Sequence, residues 1–298
     1  MKRIAIGVLF VWLAVSSATA AAAAPLAGTT VPGTAPASPL FQRPFIVTSQ
    51  DHTFAVADDC EHFHTRNVTS FPATASSQEQ TDVALQGVEL LKVRSSEEGG
   101  VSIKGWDRPV ARLTVCKQAV AFTQQQAQRT LGAINIFVRN GDISATGPEI
   151  DETQAWWVHM ILRVPKSSRL DVTSSNGGIA IRNMSGRITA RAKNGGISVA
   201  SCAGDARINT QSGGIAIEKT SGRIDATTEN GPISLKLENH PPLLEAQTAD
   251  AGEIVCNPRI CHADMYSANH KHLRIGSAAP SIRLSTTSAP IVILDQVR

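Results

Sequence analysis

From about residue 140 onward, apolar and polar residues alternate in short bursts, and the bursts recur at a fixed interval. Ile179, Ile197, Ile215 and Ile233 are spaced by 18 residues three times running. Each follows a turn of small residues and opens an alternating run: Asn176-Gly177-Gly178-Ile179-Ala180-Ile181, Asn194-Gly195-Gly196-Ile197-Ser198-Val199, Ser212-Gly213-Gly214-Ile215-Ala216-Ile217 and Asn230-Gly231-Pro232-Ile233-Ser234-Leu235. Nine residues after each of the first three isoleucines comes a second element, beginning Ser185-Gly186-Arg187-Ile188, Ala203-Gly204-Asp205-Ala206 and Ser221-Gly222-Arg223-Ile224. Every unit thus predicts two strands, each with one apolar face turned inward. Asn-Gly and Ser-Gly pairs are expected to supply the positive backbone angles of tight reversals. A register that never slips means that each residue stacks on its equivalent about 4.8 Å away, as in a coil. The outward column Arg187, Asp205, Arg223 then places opposite charges above one another. The pattern predicts an all-β, two-layer, single-chain β-solenoid with 18-residue coils, preceded by a disordered tether and a small β cap.

The same period extends weakly in both directions. Asn140-Gly141-Asp142-Ile143 lies two units before the Asn176 turn, and Ser281-Ile282-Arg283-Leu284 and Pro290-Ile291-Val292-Ile293 restore the nine-residue offset at the end. Between the first two turns, Trp156 to Val164 reads as a strand with apolar residues on both faces, either capping the stack or crossing it. The last strand has few charges and reads as a sheet edge that something should cover. At the other end, Met1-Lys2-Arg3, the apolar run Ile4 to Val15 and Ala18-Thr19-Ala20 form a secretory signal peptide. The run is too short for the roughly 20 apolar residues of a membrane span. The expected organisation is a leader over 1–20, an Ala/Pro/Thr-rich tether over 21–45 and an N-terminal β segment or cap over 46–120. The solenoid follows over 121–298, with a Cys/His-rich insertion at about 240–275.

Composition narrows the partners. Hydrophobic residues make up 42% of the 298 and charged ones 18%, which excludes both general disorder and a polytopic membrane protein. With 8 Phe, 4 Trp and 1 Tyr, the core must be thin and aliphatic. Losing Lys2 and Arg3 with the leader brings the formal charge of +3 close to neutrality, so no nucleic-acid field is implied. The address is exported, whether periplasmic, cell-surface or secreted, with no transmembrane segment after the leader. The partner classes this leaves are an envelope protein or a glycan.

Gly99-Gly100-Val101-Ser102-Ile103-Lys104-Gly105-Trp106-Asp107-Arg108-Pro109-Val110, then Val164-Pro165 leading to Leu170-Asp171-Val172, then the Asn-Gly-Gly-Ile rows, together resemble an exported bacterial family of unknown function grouped as adhesins. The resemblance covers roughly residues 85–298. It implies a repeat β-solenoid on the envelope or outside the cell, without an established enzymatic activity. A repeat fold by itself specifies no function. Gly105-Trp106-Asp107-Arg108-Pro109 is read structurally, as a Trp capping the solenoid end with an Asp–Arg pair beside it.

Candidate chemistry is sparse. Five cysteines entering an oxidising compartment should pair, with one left over. Cys256 with Cys261 would close a short loop, Cys60 with Cys116 would staple the N-terminal segment, and Cys202, in a column with Met184 and Thr220, reads as a buried thiol. A competing reading makes Cys256, Cys261, His262, His270 and His272 metal ligands or a stretched haem signature, and disulfide pairing is preferred over both. His62 and His64, near Cys60, are a second weak metal pair. The solenoid turns lack the repeated aspartates of calcium-binding rolls. No Gly-x-Ser-x-Gly, His-Glu-x-x-His or phosphate-cradling loop occurs, and the cluster Glu149, Asp151, Glu152 reads as a solvated loop. No catalytic residue and no cofactor is assigned. The expected function is a non-enzymatic adhesion or envelope-scaffolding protein. The alternative is a carbohydrate-active or metal-dependent enzyme with its site at the Cys256–His272 insertion.

Overall fold

A computed structural model describes residues 57–60, 71–96, 98–238, 241–250, 252–262, 265, 267, 270–276 and 282–295. All of them belong to one compact unit, Ser49–Arg298. The leader at 1–20, the tether at 21–45, and His62 and His64 lie outside the described residues. Along the chain come β1 (Ala73–Val83), β2 (Leu91–Arg94), β3 (Val101–Trp106), β4 (Ala111–Ala121), a nine-residue helix α1 (Gln124–Gly132), the hairpin β5 (Asn135–Arg139) and β6 (Asp142–Thr146), and β7 (Gln154–Pro165). The repeat proper follows as β8 (Leu170–Ser174), β9 (Ile179–Arg182), β10 (Ile188–Ala192), β11 (Ile197–Ala200), β12 (Ala206–Thr210), β13 (Ile215–Glu218), β14 (Ile224–Thr228) and β15 (Ile233–Leu237). The chain ends in β16 (Leu243–Thr248), β17 (Ile254–Cys256), β18 (His272–Gly276), β19 (Ile282–Thr286) and β20 (Ile291–Asp295). Two ten-stranded sheets result. Sheet I runs β1-β4-β7-β3-β9-β11-β13-β15-β20-β17 and sheet II runs β18-β16-β19-β14-β12-β10-β8-β2-β6-β5.

The 18-residue register is the ladder register. Ile179, Ile197, Ile215 and Ile233 are successive partners in parallel strands of sheet I, and Leu170, Ile188, Ala206 and Ile224 are partners in sheet II. These files face each other across a thin interior in which each of those residues is at most 3% exposed. The all-β, two-layer solenoid is therefore the fold, with aliphatic side chains filling it from layer to layer.

The turn glycines act differently from the sequence expectation. Gly177, Gly195, Gly213 and Gly231 do not have positive φ. What they lack room for is a side chain: a Cβ on Gly195 would fall 2.1 Å from the Gly177 carbonyl oxygen, and one on Gly213 2.3 Å from that of Gly195. Glycine lets each turn lie on the backbone of the one below. The left-handed position that recurs from coil to coil sits at the opposite corner and is not glycine: Asn183, Ser201 and Lys219 have φ of 59°, 54° and 50°, again 18 residues apart. Back at the glycine turns a hydroxyl file ties coil to coil, since Thr210, Thr228 and Thr286 donate to the carbonyls of Gly195, Gly213 and Gly231 at 2.9, 2.9 and 3.0 Å.

Coil order in space differs from order along the chain at both ends. β2 and β3 already belong to the solenoid: Leu91 pairs with Leu170 and Val101 with Ile179. The boundary expected at residue 121 is corrected to Leu91, and residues between β3 and β8 form an excursion that lays β6 and β7 outside β2 and β3. β7 thus continues the ladder parallel to β3 and hands it to antiparallel β4 and β1. Asn140-Gly141 is the β5–β6 hairpin turn, with φ of 49° and 78°, and Ile143 stacks on Val93 in sheet II rather than in the Ile179 file. At the other end, β16 and β17 form the outermost coil, and β19 and β20 return to slot between them and β14 and β15. The final strand is no edge: β20 pairs with β15 on one side and β17 on the other. The expected insertion at about 240–275 shrinks accordingly, because β16 and β17 form a coil and β18 extends sheet II antiparallel to β16. The helix α1, absent from the all-β expectation, is capped by Thr123 and buries Ala127 against Ala73, Ala75 and Ala121.

Candidate binding surface

With the interior filled, polar chemistry is confined to the outer faces and rims. On sheet II, one residue from each strand forms a file across the sheet: Arg139, Asp142, Lys92, Asp171, Thr189, Arg207, Asp225, Arg283, Glu245, Arg274. Charge alternates at every step except the neutral Thr189. Ion pairs along and across it include Arg191–Asp171 at 2.8 Å, Arg283–Glu245 at 3.3 Å and Arg274–Glu245 at 3.4 Å. Each exposed pair contributes little stability, but the alternation removes like-charge neighbours and favours one register.

Sheet I does the opposite. Arg112 of β4, Arg163 of β7, Lys104 of β3 and Arg182 of β9 are successive ladder partners, which sets four cations side by side at strand spacing, about 4.8 Å. Like charges in this position oppose pairing. Two carboxylates offset part of the repulsion. Asp82 receives Arg112 through two hydrogen bonds of 2.8 and 3.3 Å, and the guanidinium holds the Asp82 carboxyl below its ordinary range. Asp58 bridges Lys104 at 3.1 Å and Arg163 at 3.2 Å. Asp58 is held there by the disulfide from Cys60 to Cys116, whose Cα atoms are 5.5 Å apart. Arg182 is exposed and forms no ion pair among the described residues. Trp106 completes the rim, with Arg108 over its ring at 5.0 Å and Arg112 at 5.7 Å.

This arrangement corrects the reading of the Gly-Gly-Val-Ser-Ile-Lys-Gly-Trp-Asp-Arg-Pro segment. Trp106 stands on the rim where β3 ends, not over the solenoid end, and its indole N–H donates to the Val110 carbonyl at 2.9 Å. Asp107 pairs with Lys166 at 2.8 Å rather than with Arg108. Gly100 leaves space for the imidazole of His159, which a Cβ there would meet at 2.9 Å. Ser102 Oγ is 3.0 Å from His159 Nε2, and burial lowers the His159 pKa to about 3, so the ring is neutral. A hydroxyl beside a neutral imidazole is the beginning of a nucleophile and base, yet Ser102 is 2% exposed and His159 9%. No substrate carbonyl reaches Oγ past that cover, and the pair serves as a satisfied polar contact.

Among the described residues the candidate ligands of the Cys/His region do not come together as a metal site. Cys256 and Cys261 form a disulfide with Cα atoms 6.0 Å apart, which removes both thiolates from any metal. His262, His270 and His272 are exposed, and His272 uses its backbone N–H to reach Ser267 Oγ at 3.0 Å. Among the described residues no three His, Cys, Asp or Glu side chains converge as a metal site. Cys202 is the remaining thiol, buried, its pKa raised by that burial. Asp151 accepts from the backbone and hydroxyl of Thr153, both at 2.7 Å, and these bonds lower its pKa, so it organises the turn before β7. The cation row and the Ser102–His159 contact escaped sequence reasoning because their members are up to 78 positions apart and become neighbours only through strand pairing.

A family model matches residues 65–255, which is more than half of the chain. The chain belongs to the Toastrack DUF4097 family. The Toastrack match ends within β17 of the outermost coil, and the inner strands β19 and β20 follow it in the sequence. None of the curated proteins matches. Two solved structures are similar. One is a candidate cell adhesion protein from Clostridium sporogenes, 12% identical, with 74% of this chain and 100% of that chain covered at a TM-score of 0.38. The other is a candidate adhesin from Bacteroides fragilis, 10% identical, with 74% and 97% covered at 0.39.

Proposed function

We propose that this Toastrack protein is exported and acts outside the cytoplasm as a non-enzymatic attachment protein, holding anionic envelope or cell-surface material on its solenoid faces. The observation that carries this reading is the cation row of Arg112, Arg163, Lys104 and Arg182. A chain that alternates charge across sheet II at every step but Thr189 tolerates four adjacent cations on sheet I, and an external anion offsets that repulsion. The signal-peptide pattern at 1–20 and two disulfides suit an oxidising compartment. No described helix is long and apolar enough to cross a membrane.

Sedimentation of the mature chain with washed bacterial envelopes tests it. Arg182→Glu combined with Arg108→Glu changes two exposed side chains of the row and its rim, and retention should fall about tenfold, with wild-type retention declining as salt rises. Retention unaffected by both reversals and salt, or cleavage of envelope glycan by the purified chain, overturns the proposal.

A further inference from the structure

At the β5 end of sheet II an exposed aromatic and a further cation stand beside the alternating file. The hairpin and β2 form a grid two residues deep and three strands wide: Arg139, Asp142 and Lys92 in one row, Phe137, Ser144 and Arg94 in the next. Together they line an open groove of about 560 Å³. That volume falls within the range of small-ligand sites, about 300–1,000 Å³. Three cations face a single carboxylate. Arg94 donates to Asp142 Oδ1 at 2.7 Å, which orients the guanidinium in the groove and leaves Oδ2 without a partner among the described residues. Phe137 is 54% exposed, with no ring or cation stacked on it among the described residues. It is the one apolar member of a file that continues through Ser144, Arg94, Thr173, Arg191 and Asn209.

We infer that this groove binds a carboxylate-bearing oligosaccharide, a uronate-type chain. A simple anion would use the cations and leave Phe137 idle, and an apolar ligand would strand Lys92, Arg94 and Arg139. A sugar acid has an apolar C–H face for the exposed ring, a carboxylate for Arg139 and Lys92, and hydroxyls that donate to Asp142 Oδ2 and share hydrogen bonds with Ser144. An acidic peptide fits less well, because the groove offers one aromatic and no enclosed pocket for side chains. It would use the edge of β5 that no described strand pairs with. The inference rests on the extracytoplasmic attachment reading, which supplies such glycans, but the site is distinct from the cation row on sheet I.

Calorimetric titration of the mature protein with a tetramer of galacturonic acid, and with a neutral glucose tetramer as comparison, tests it. The acidic tetramer should bind at least tenfold more tightly than the neutral one. Phe137→Ala and Arg139→Ala should each weaken it about tenfold, with unchanged circular dichroism. Binding should survive Arg182→Glu/Arg108→Glu, the variant that releases envelopes. Absence of heat at millimolar tetramer, equal affinity for the neutral tetramer, or indifference to Phe137→Ala overturns the groove proposal. So does an acidic peptide that outcompetes the tetramer while protecting the β5 amides from exchange. If envelope retention still depends on Arg182 and Arg108 in that event, the groove alone is withdrawn. If the tetramer binds but envelopes do not, the attachment reading falls and the groove stands.

Discussion

His159 makes the fold sensitive to acid at the residue scale. It lies against Gly100, bonds Ser102 and is held neutral by burial, with its pKa lowered to about 3. In the unfolded chain the same ring takes a proton near pH 6.5. Its contribution to stability is therefore complete above pH 6.5 and is lost progressively as pH falls from there toward 3. At pH 5 the expected loss is about 2 kcal/mol relative to pH 7.5. Denaturant unfolding of wild type and His159→Gln at both pH values checks this. The variant should start less stable and show a pH dependence smaller by about that amount, whereas parallel curves would mean that His159 is already charged or exposed in the native state. Gly100 was visible in the sequence as part of a motif, but its purpose was not, since the imidazole it accommodates arrives from 59 positions further on.

For the single coil, the decisive feature is a turn that presses directly on the turn beneath it. A methyl group on Gly195 meets backbone on a neighbour that is itself fixed by the next coil, so the strain has no flexible side chain to absorb it. Gly195→Ala should cost about 3 kcal/mol or prevent folding. Gly214→Ala, one position on in the next turn, finds its nearest neighbour at 3.4 Å and has no positive φ, so its stability should change by no more than about 0.5 kcal/mol in either direction. Thermal unfolding of the two variants separates stacking from the turn-flexibility explanation, which predicts similar costs at both sites. The period itself was legible because Ile179 to Ile233 carry one apolar residue per coil without a slip. The reason for the glycine was not, since a tight reversal and a close stack select the same residue. The threonine file of Thr210, Thr228 and Thr286 was also present in the sequence, yet buried hydroxyls are recognised only once their carbonyl partners are placed.

Across the whole solenoid, coil order is what the sequence withheld. Leu91, Val93, Val101 and Ile103 have the right alternation for a coil, but an excursion of more than 60 residues separates them from β8, and only packing decides that they stack on it. The same holds for β19 and β20, which return to an inner slot and leave β16 and β17 outermost. Non-local pairing also creates the surfaces that matter: the alternating file on sheet II, the four-cation row on sheet I and the groove under Phe137 all join residues distant in sequence. The Cys256–His272 region, which looked richest in chemistry, shows among its described residues the Cys256–Cys261 disulfide and the start of edge strand β18. Function on this account belongs to the outside of a filled scaffold. The most direct test is a combined amide and methyl NMR titration of the mature chain with a soluble anionic envelope polymer. The account predicts shifts at Lys104, Arg163, Arg182 and the Trp106 indole, with the methyls of Ile197 and Ile215 unmoved and the polymer intact. Shifts centred on the interior methyls or on His262 to His272, or shortening of the polymer during the titration, would contradict it.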